Sequence, residues 1–300
     1  MVCDYQFHVA VVGGDVRQIA VAKALTGLAG TVKVYGHPRE SLPENTIYCS
    51  NLENVLTGVS VVVLPISGMD DAGMVRSYQT EWINFGQYLN LLSRGTVVIT
   101  GSFPVSWMKR AIQKGLKVVQ YAEDDTIAIL NSIPTAEGAV QIAMEQLPIT
   151  IHGSQVLVIG FGRVGVTVAR AFQGLGAKVT VAARRLELLA RAGEMGCDTV
   201  IHQDLATVIG KMQLVVNTVP AVVIDRETLQ RTLPNVLIID LASAPGGVDY
   251  DSARELGRKA IFAPGLPGKV APQTAGNILA SAIPKLIIKA VSASPEKDSI

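Results

Sequence analysis

Short apolar runs of strand length alternate along the chain with longer stretches whose apolar residues recur at helical spacing. In the first half the runs are 8–12, 31–35, 59–64, 95–100 and 116–120, with helices predicted over 16–28, 81–92 and 106–114. The second half repeats the pattern with strands at 155–159, 178–182, 213–217, 235–240 and 259–263. Strands that are apolar throughout belong in parallel sheets covered on both faces, and their alternation with helices makes an α/β fold. Corresponding strand ends also look alike, VVGGD beside VIGFG and VVITGSFP beside LIIDLASAP. The chain therefore reads as two doubly wound Rossmann-like domains with a cleft between them, consistent with a diverged pair.

The stretch 121–139, YAEDDTIAILNSIPTAEGA, is the expected link. Its acids, Ser132 and Pro134 interrupt the apolar pattern before a helix predicted over 135–146, with Ser132 or Thr135 as N-cap and Glu137 in the first turn. A long helix is predicted over 271–291, with Pro284 a place for a kink, and it can return to the first domain. The expected division is 1–133 with 277–300 for a substrate domain and 134–276 for a nucleotide-binding domain. The polar tail from Ser292 is expected to fray.

Composition narrows the function. With 300 residues, 49% hydrophobic and 17% charged, the chain can bury a core large enough for about two domains. A net charge of +1 and 5% aromatic residues offer neither a basic field nor a stacking platform for nucleic acid. Cys3, Cys49 and Cys197 lack metal-ligand spacing and read as reduced thiols of a cytoplasmic protein, so no metal is expected. The N-terminus lacks the basic and apolar regions of a signal peptide. The apolar stretch 277–291, interrupted by Pro284, Lys285 and Lys289, reads as too short for a membrane span.

The chemistry concentrates in QVLVIGFGRVGVTVARAFQGLGAKVTVAARR, residues 155–185. Here a strand meets Gly160, Gly162 and Gly165 in GxGxxG spacing, and a helix and a second strand follow, which is the context a dinucleotide fingerprint requires. Gly160 permits the tight turn, Gly162 lets backbone approach a pyrophosphate, and Gly165 lets helix meet strand. The amides of Arg163 and Val164 then face the anion. At the end of the second strand an NAD enzyme places an acid for the ribose hydroxyls. This chain has Ala182, Ala183, Arg184 and Arg185 there, so NADP is the expected cofactor, its 2′-phosphate held by Arg184 and Arg185. Ligands of open α/β sheets lie beyond the carboxyl ends of the strands. Asn217, Thr218 and Pro220, with Ala242 and Pro264, are accordingly expected around the nicotinamide and its ribose.

The first domain lacks the fingerprint, since Gly13 and Gly14 are followed by Asp15, an acid where a phosphate would sit. Arg17 and Ser67 are the candidate contacts for substrate carboxylates there, joined by Ser132 and Thr135 from the link. None of the four histidines has a mapped partner that would mark it as a catalytic base. The histidine of 2-hydroxyacid dehydrogenases, the YxxxK pair of folate-type enzymes and the early lysine–serine site of shikimate-type enzymes are all missing. Ser132, Thr135 and Glu137 remain the catalytic candidates, with Glu137 the proton acceptor.

The segments GGDVRQ (13–18), NSIPTAEGA (131–139), IHGSQVLVIGFGRVG (151–165), LASAPGGVD (241–249) and APGLPGKVAPQTAG (263–276) together resemble the A subunits of dipicolinate synthase over all but the tail. The resemblance implies NADP-dependent oxidation of a hydroxytetrahydro- or dihydrodipicolinate to pyridine-2,6-dicarboxylate in the cytoplasm of the sporulating mother cell. It further implies work with a flavoprotein-like B subunit, and a homo-oligomer is expected. Two other readings stand beside it: a different NADP-dependent two-domain enzyme of the adenosylhomocysteine hydrolase plan, and a non-catalytic NADP sensor.

Overall fold

A computed structural model of the chain describes residues 7–292; Cys3, the start of the chain and the tail 293–300 lie outside the described residues. Two compact units form, one from the described residues up to Ile127 together with those from Pro272, the other from Ala128–Ala271. The first contains β1 (His8–Val12), β2 (Thr31–Tyr35), β3 (Thr46–Tyr48), β4 (Val61–Val63), a hairpin of β5 (Met74–Ser77) and β6 (Glu81–Asn84), β7 (Val97–Thr100) and β8 (Lys117–Gln120). Its parallel sheet has the order β3-β2-β1-β4-β7-β8. The second contains β9 (Gln155–Ile159), β10 (Lys178–Ala183), β11 (Asp198–Ile201), β12 (Leu214–Asn217), β13 (Leu237–Asp240) and β14 (Lys259–Phe262), in the order β11-β10-β9-β12-β13-β14. With the hairpin set aside, both sheets follow the doubly wound order 3-2-1-4-5-6, which reverses beside the first strand and opens a crevice there.

Continuous apolar strands produce this arrangement because each sheet is covered on both faces. In the first unit Val9, Val11, Val61 and Val63 pack with Val21 and Leu25 of α1 (Val16–Thr26) and with Leu279, Ile283 and Ile287. Ala10, Val12, Val62 and Leu64 point the other way, onto Leu52 and Val55 of α2 (Leu52–Leu56) and Ala111 of α3 (Val105–Gln113). The second unit repeats this alternation. Val156, Val158, Val179 and Val181 pack with Ala139 and Ala143 of α4 (Asp125–Gln146) and Val168 and Phe172 of α5 (Arg163–Gly174). Ala192 of α6 (Leu186–Glu194) joins the same face. Leu157 and Ile159 pack with Leu229 of α7 (Arg226–Gln230) and Ala253 of α8 (Tyr250–Glu255). The short α9 (Leu266–Val270) precedes α10 (Pro272–Ser292), which returns to the first unit and packs along α1.

Three expectations need correction. Residues 81–92 are not a helix: Glu81–Asn84 pairs antiparallel with Met74–Ser77, and a 3-10 turn follows at Gly86–Leu91. Ile83 and Phe85 are buried while Trp82 is exposed, a two-residue period that suits a strand. The link is not broken at Ser132 and Pro134, because α4 runs from Asp125 through both, and the Asp124 carboxylate accepts from Ile127 N at its start. Pro134 cannot donate within the helix. Around it, hydroxyls satisfy neighbouring carbonyls, with Ser132 Oγ donating to Ile129 O at 2.6 Å and Thr135 Oγ1 to Asn131 O at 2.8 Å. Ser132 and Thr135 are therefore interior residues rather than caps. Finally, α10 starts at Pro272 and spans 21 residues, apolar and long enough for a membrane span by length and composition. Its buried stripe of Ala275, Leu279, Ile283 and Ile287 is instead used in packing the first unit.

Candidate functional site

The turn between β9 and α5 is built by its glycines. Gly160 has φ +90°, in the left-handed region open to glycine. A Cβ at Gly165 would overlap the Gly160 carbonyl oxygen, so only glycine lets α5 come this close to the strand. Gly162 differs, because a Cβ there would meet no protein atom within 4 Å. It is the exposed N-cap of α5, and no side chain caps that helix. The start of α5 thus offers backbone donors and the positive end of a helix dipole to an anion lying against Gly162.

On the adenosine side of a doubly wound nucleotide site, β10 ends in buried Ala183 and gives way to Arg184 and Arg185, both exposed. No carboxylate ends the strand. Glu187 pairs with Arg185 at 3.2 Å, with both side chains about two-thirds exposed, so this pair adds little stability and leaves Arg185 free to exchange partners. Arg163 and Val164 open α5, Arg163 exposed and Val164 partly so.

On the other half, the polar ends of β12 and β13 are tied together. Asn217 and Asp240 have no exposed surface, and Asn217 Nδ2 donates to Asp240 Oδ1 at 2.8 Å. Thr218 Oγ1 donates to Ile159 O at 2.9 Å, fastening the end of β12 to β9. The side chains of Asn217 and Thr218 are thus occupied inside the fold, leaving backbone as the surface the loop can present. Pro220 and Pro264 are exposed and Ala242 is buried. Burial and the hydrogen bond to Asp240 both push the Tyr250 phenol above its ordinary value. The sequence pointed to this network only through an acid ending an apolar strand.

The equivalent turn of the first unit is filled by the protein itself. Gly14 N donates to Arg76 O at 2.7 Å, and a Cβ at Gly13 would come within 2.5 Å of the same oxygen, so the β5–β6 hairpin lies against the turn. Ser77 Oγ donates to Gly36 O at 2.8 Å and holds the hairpin to the end of β2. Asp15 caps α1 by accepting from Arg17 N, and its carboxylate takes Arg17 Nε at 2.8 Å and Nη2 at 2.6 Å. Burial would raise the Asp15 carboxyl, but the hydrogen bonds and charge of Arg17 more than reverse this and hold it below its ordinary range. Arg17 is therefore not the free carboxylate clamp expected of it, since a carboxylate two residues away already occupies its guanidinium.

The remaining candidates lie on separate elements. Ser67 is exposed on the loop after β4, where its carbonyl accepts from Ser102 Oγ. Ser132 is fully buried, 2.5 Å from Thr167 Oγ1, so its hydroxyl joins α4 to α5. Thr135 is partly buried and bonded within α4, and Glu137 is exposed on the same helix. His37 is buried with Nε2 on Gly13 O at 2.8 Å; burial lowers its pKa against the opposing effects of that bond and Asp15. Cys49 and Cys197 are buried free thiols raised by burial.

Comparison with known proteins matches the two halves of the chain to different families. Residues 8–122 match the N-terminal domain of the dipicolinate synthase A subunit, and residues 133–256 match the NAD-binding domain of D-isomer-specific 2-hydroxyacid dehydrogenases. The A subunit of dipicolinate synthase from Bacillus subtilis (strain 168) is 37% identical over 282 residues, covering 93% of this chain and 95% of that protein. The crystal structure of the A subunit from Bacillus halodurans superposes with a TM-score of 0.87 at 35% identity, covering 96% of this chain and 98% of that one. The crystal structure of the Bacillus subtilis A subunit gives the same TM-score at 36% identity, with the same coverage. The second unit is thus a dehydrogenase-type domain for a nicotinamide cofactor, which makes the protein an oxidoreductase. The chain belongs to the family of dipicolinate synthase A subunits.

Proposed function

We propose that this protein oxidises a dihydrodipicolinate, formed by loss of water from the hydroxytetrahydro compound, to pyridine-2,6-dicarboxylate with NADP as the acceptor. The reading places the reaction in the cytoplasm of a sporulating mother cell, in concert with a flavoprotein-like B subunit. The observation that carries it is the likeness to dipicolinate synthase A subunits across both units, rather than over the dehydrogenase half alone. The preference for NADP is supported by β10, which ends without a carboxylate and is followed by two exposed arginines.

Bound NADP supplies the hydride acceptor. The residues of this chain supply binding and orientation. Backbone at Gly160, Gly162, Arg163, Val164 and Gly165 holds the pyrophosphate, Arg184 and Arg185 hold the 2′-phosphate, and the ends of β12, β13 and β14 shape the surface for the nicotinamide half. Oxidation removes a hydride from a ring carbon and a proton from the dihydropyridine, and the aromatic product supplies driving force. The reading assigns that proton to Glu137 and a substrate carboxylate contact to Ser67.

The test mixes purified protein, NADP and freshly made dihydrodipicolinate synthase product, with and without the B subunit, and follows the reduced-nicotinamide and dipicolinate absorbance bands. Both bands rise together if the proposal holds. Nucleotide binding without any rise in either mixture contradicts it.

A further inference from the structure

Asp240 ends β13 with no exposed surface and is the acceptor for four donors. Asn217 Nδ2 at 2.8 Å and Ala242 N at 3.1 Å donate to Oδ1; Gly247 N at 2.7 Å and the Tyr250 hydroxyl at 2.8 Å donate to Oδ2. Two donors on each oxygen suit a carboxylate, whereas an amide in its place would turn a donor of its own toward one of those pairs. The network extends through Asn217, whose Nδ2 also donates to Val219 O and whose Oδ1 accepts from Val219 N, each at 3.0 Å. One carboxylate therefore fixes the loop after β12 and the loop at 241–247.

Packing around it is tight. A Cβ on Gly247 would overlap Asn217 Nδ2, and one on Gly246, at φ +92°, would come within 2.6 Å of Asp240 Oδ2. The paired glycines of LASAPGG are thus required by the approach of this loop to Asp240. The fold itself does not demand a charge at this place. In the first unit the corresponding strand, β7, ends in Thr100, which is equally buried and needs one hydroxyl bond, to Ser102 O at 2.9 Å. Burying a carboxylate is costly unless it is fully hydrogen-bonded, so the acid in the second unit calls for a reason beyond the sheet.

We infer that Asp240 is a positioning residue for the nicotinamide half of the cofactor, its carboxylate setting the loops after β12 and β13 into the shape that half binds. This rests on the cofactor reading of the second unit. Strands β12–β14 form the second mononucleotide half of the sheet, whereas the 2′-phosphate is assigned beside β10 in the first half. Disturbing Asp240 therefore separates the two ends of the ligand.

The experiment titrates full-length wild-type, Asp240→Asn and Tyr250→Phe proteins with adenosine 2′,5′-bisphosphate and with NADP by calorimetry. Asp240→Asn is expected to bind the bisphosphate within about twofold of wild type and NADP about tenfold or more weakly. Tyr250→Phe, which removes one donor of the four, shows the same split at about threefold. NADP affinity unchanged in both variants, or an equal loss for both ligands, overturns the inference. If Asp240→Asn does not fold, the split or its absence in Tyr250→Phe decides. Wild-type protein binding neither ligand overturns the cofactor reading itself.

Discussion

The two units carry the same sheet order and the same strand-turn-helix at their first strand, yet one turn is filled and the other open. In the first, Asp15 supplies a built-in anion at the start of α1, Arg17 neutralises it, and the hairpin carbonyl of Arg76 takes the Gly14 amide. In the second, α5 has no side-chain cap and Gly162 faces open space. An anion site at a helix start thus depends less on the fold than on whether the chain has already filled it. Repetition of the architecture does not repeat the site.

The sharpest way to break this contrast is Gly165→Val. Its side chain would collide with the Gly160 carbonyl and push α5 from the strand. NADP affinity is expected to fall by about a hundredfold or more, with a lower Tm, overpacking of this kind costing about 1–3 kcal/mol before the lost ligand contacts; calorimetry and a thermal melt check it. Next in size, Arg184→Ala with Arg185→Ala should weaken NADP by about 10- to 100-fold, as expected for two charge-assisted bonds to a phosphate. Affinity for NAD should change by less than about threefold. Equal losses for both nucleotides would remove the 2′-phosphate assignment.

A matched pair comes third. Gly162→Ala should leave Tm within error, because its Cβ meets no protein atom, while lowering NADP affinity by about tenfold. Gly13→Ala, at φ +65° and against Arg76 O, should lower stability by about 1–3 kcal/mol and leave NADP affinity unchanged. Exchange of these two outcomes would place the nucleotide in the first unit.

The smallest effect concerns Asp15. Its folded-state carboxyl lies below the ordinary value of 3.8, so it stabilises the fold above that value and the contribution is lost as pH falls through the lowered folded value. Part of this is screened, since the side chain is 41% exposed. The Tm advantage of wild type over Asp15→Asn should therefore hold near pH 6 and shrink below about pH 4, in thermal melts across that range. An advantage that grows on acidification would contradict the pairing.

The strands were legible where burial on both faces makes a run continuously apolar, as over 9–12 of β1, 156–159 of β9 and 214–216 of β12. The glycine spacing at 160–165 was legible because sterics admit no other residue at Gly165. One edge of each sheet was not: TIY at β3 and DTVI at β11 are half exposed and carry no apolar signature, whereas the opposite edges, β8 and β14, were expected from the sequence. The hairpin was misread because EWINF fits either period until something covers Ile83 and Phe85. Ser132 and Arg17 resemble ligand-binding residues in sequence, and only three-dimensional neighbours reveal that Thr167 and Asp15 already engage them. Gln18 closes the GGDVRQ segment, but nothing in the sequence tells that it is fully buried with both amide atoms unpartnered among the described residues.

Of two like folds, then, only the second is proposed to hold a nucleotide, with NADP the proposed one. Calorimetric titration of the full-length protein with NADP and then NAD bears on both halves of this statement at once. About one equivalent of NADP per chain is expected, bound about tenfold or more tightly than NAD. Two equivalents per chain, or NAD bound as tightly as NADP, would contradict it.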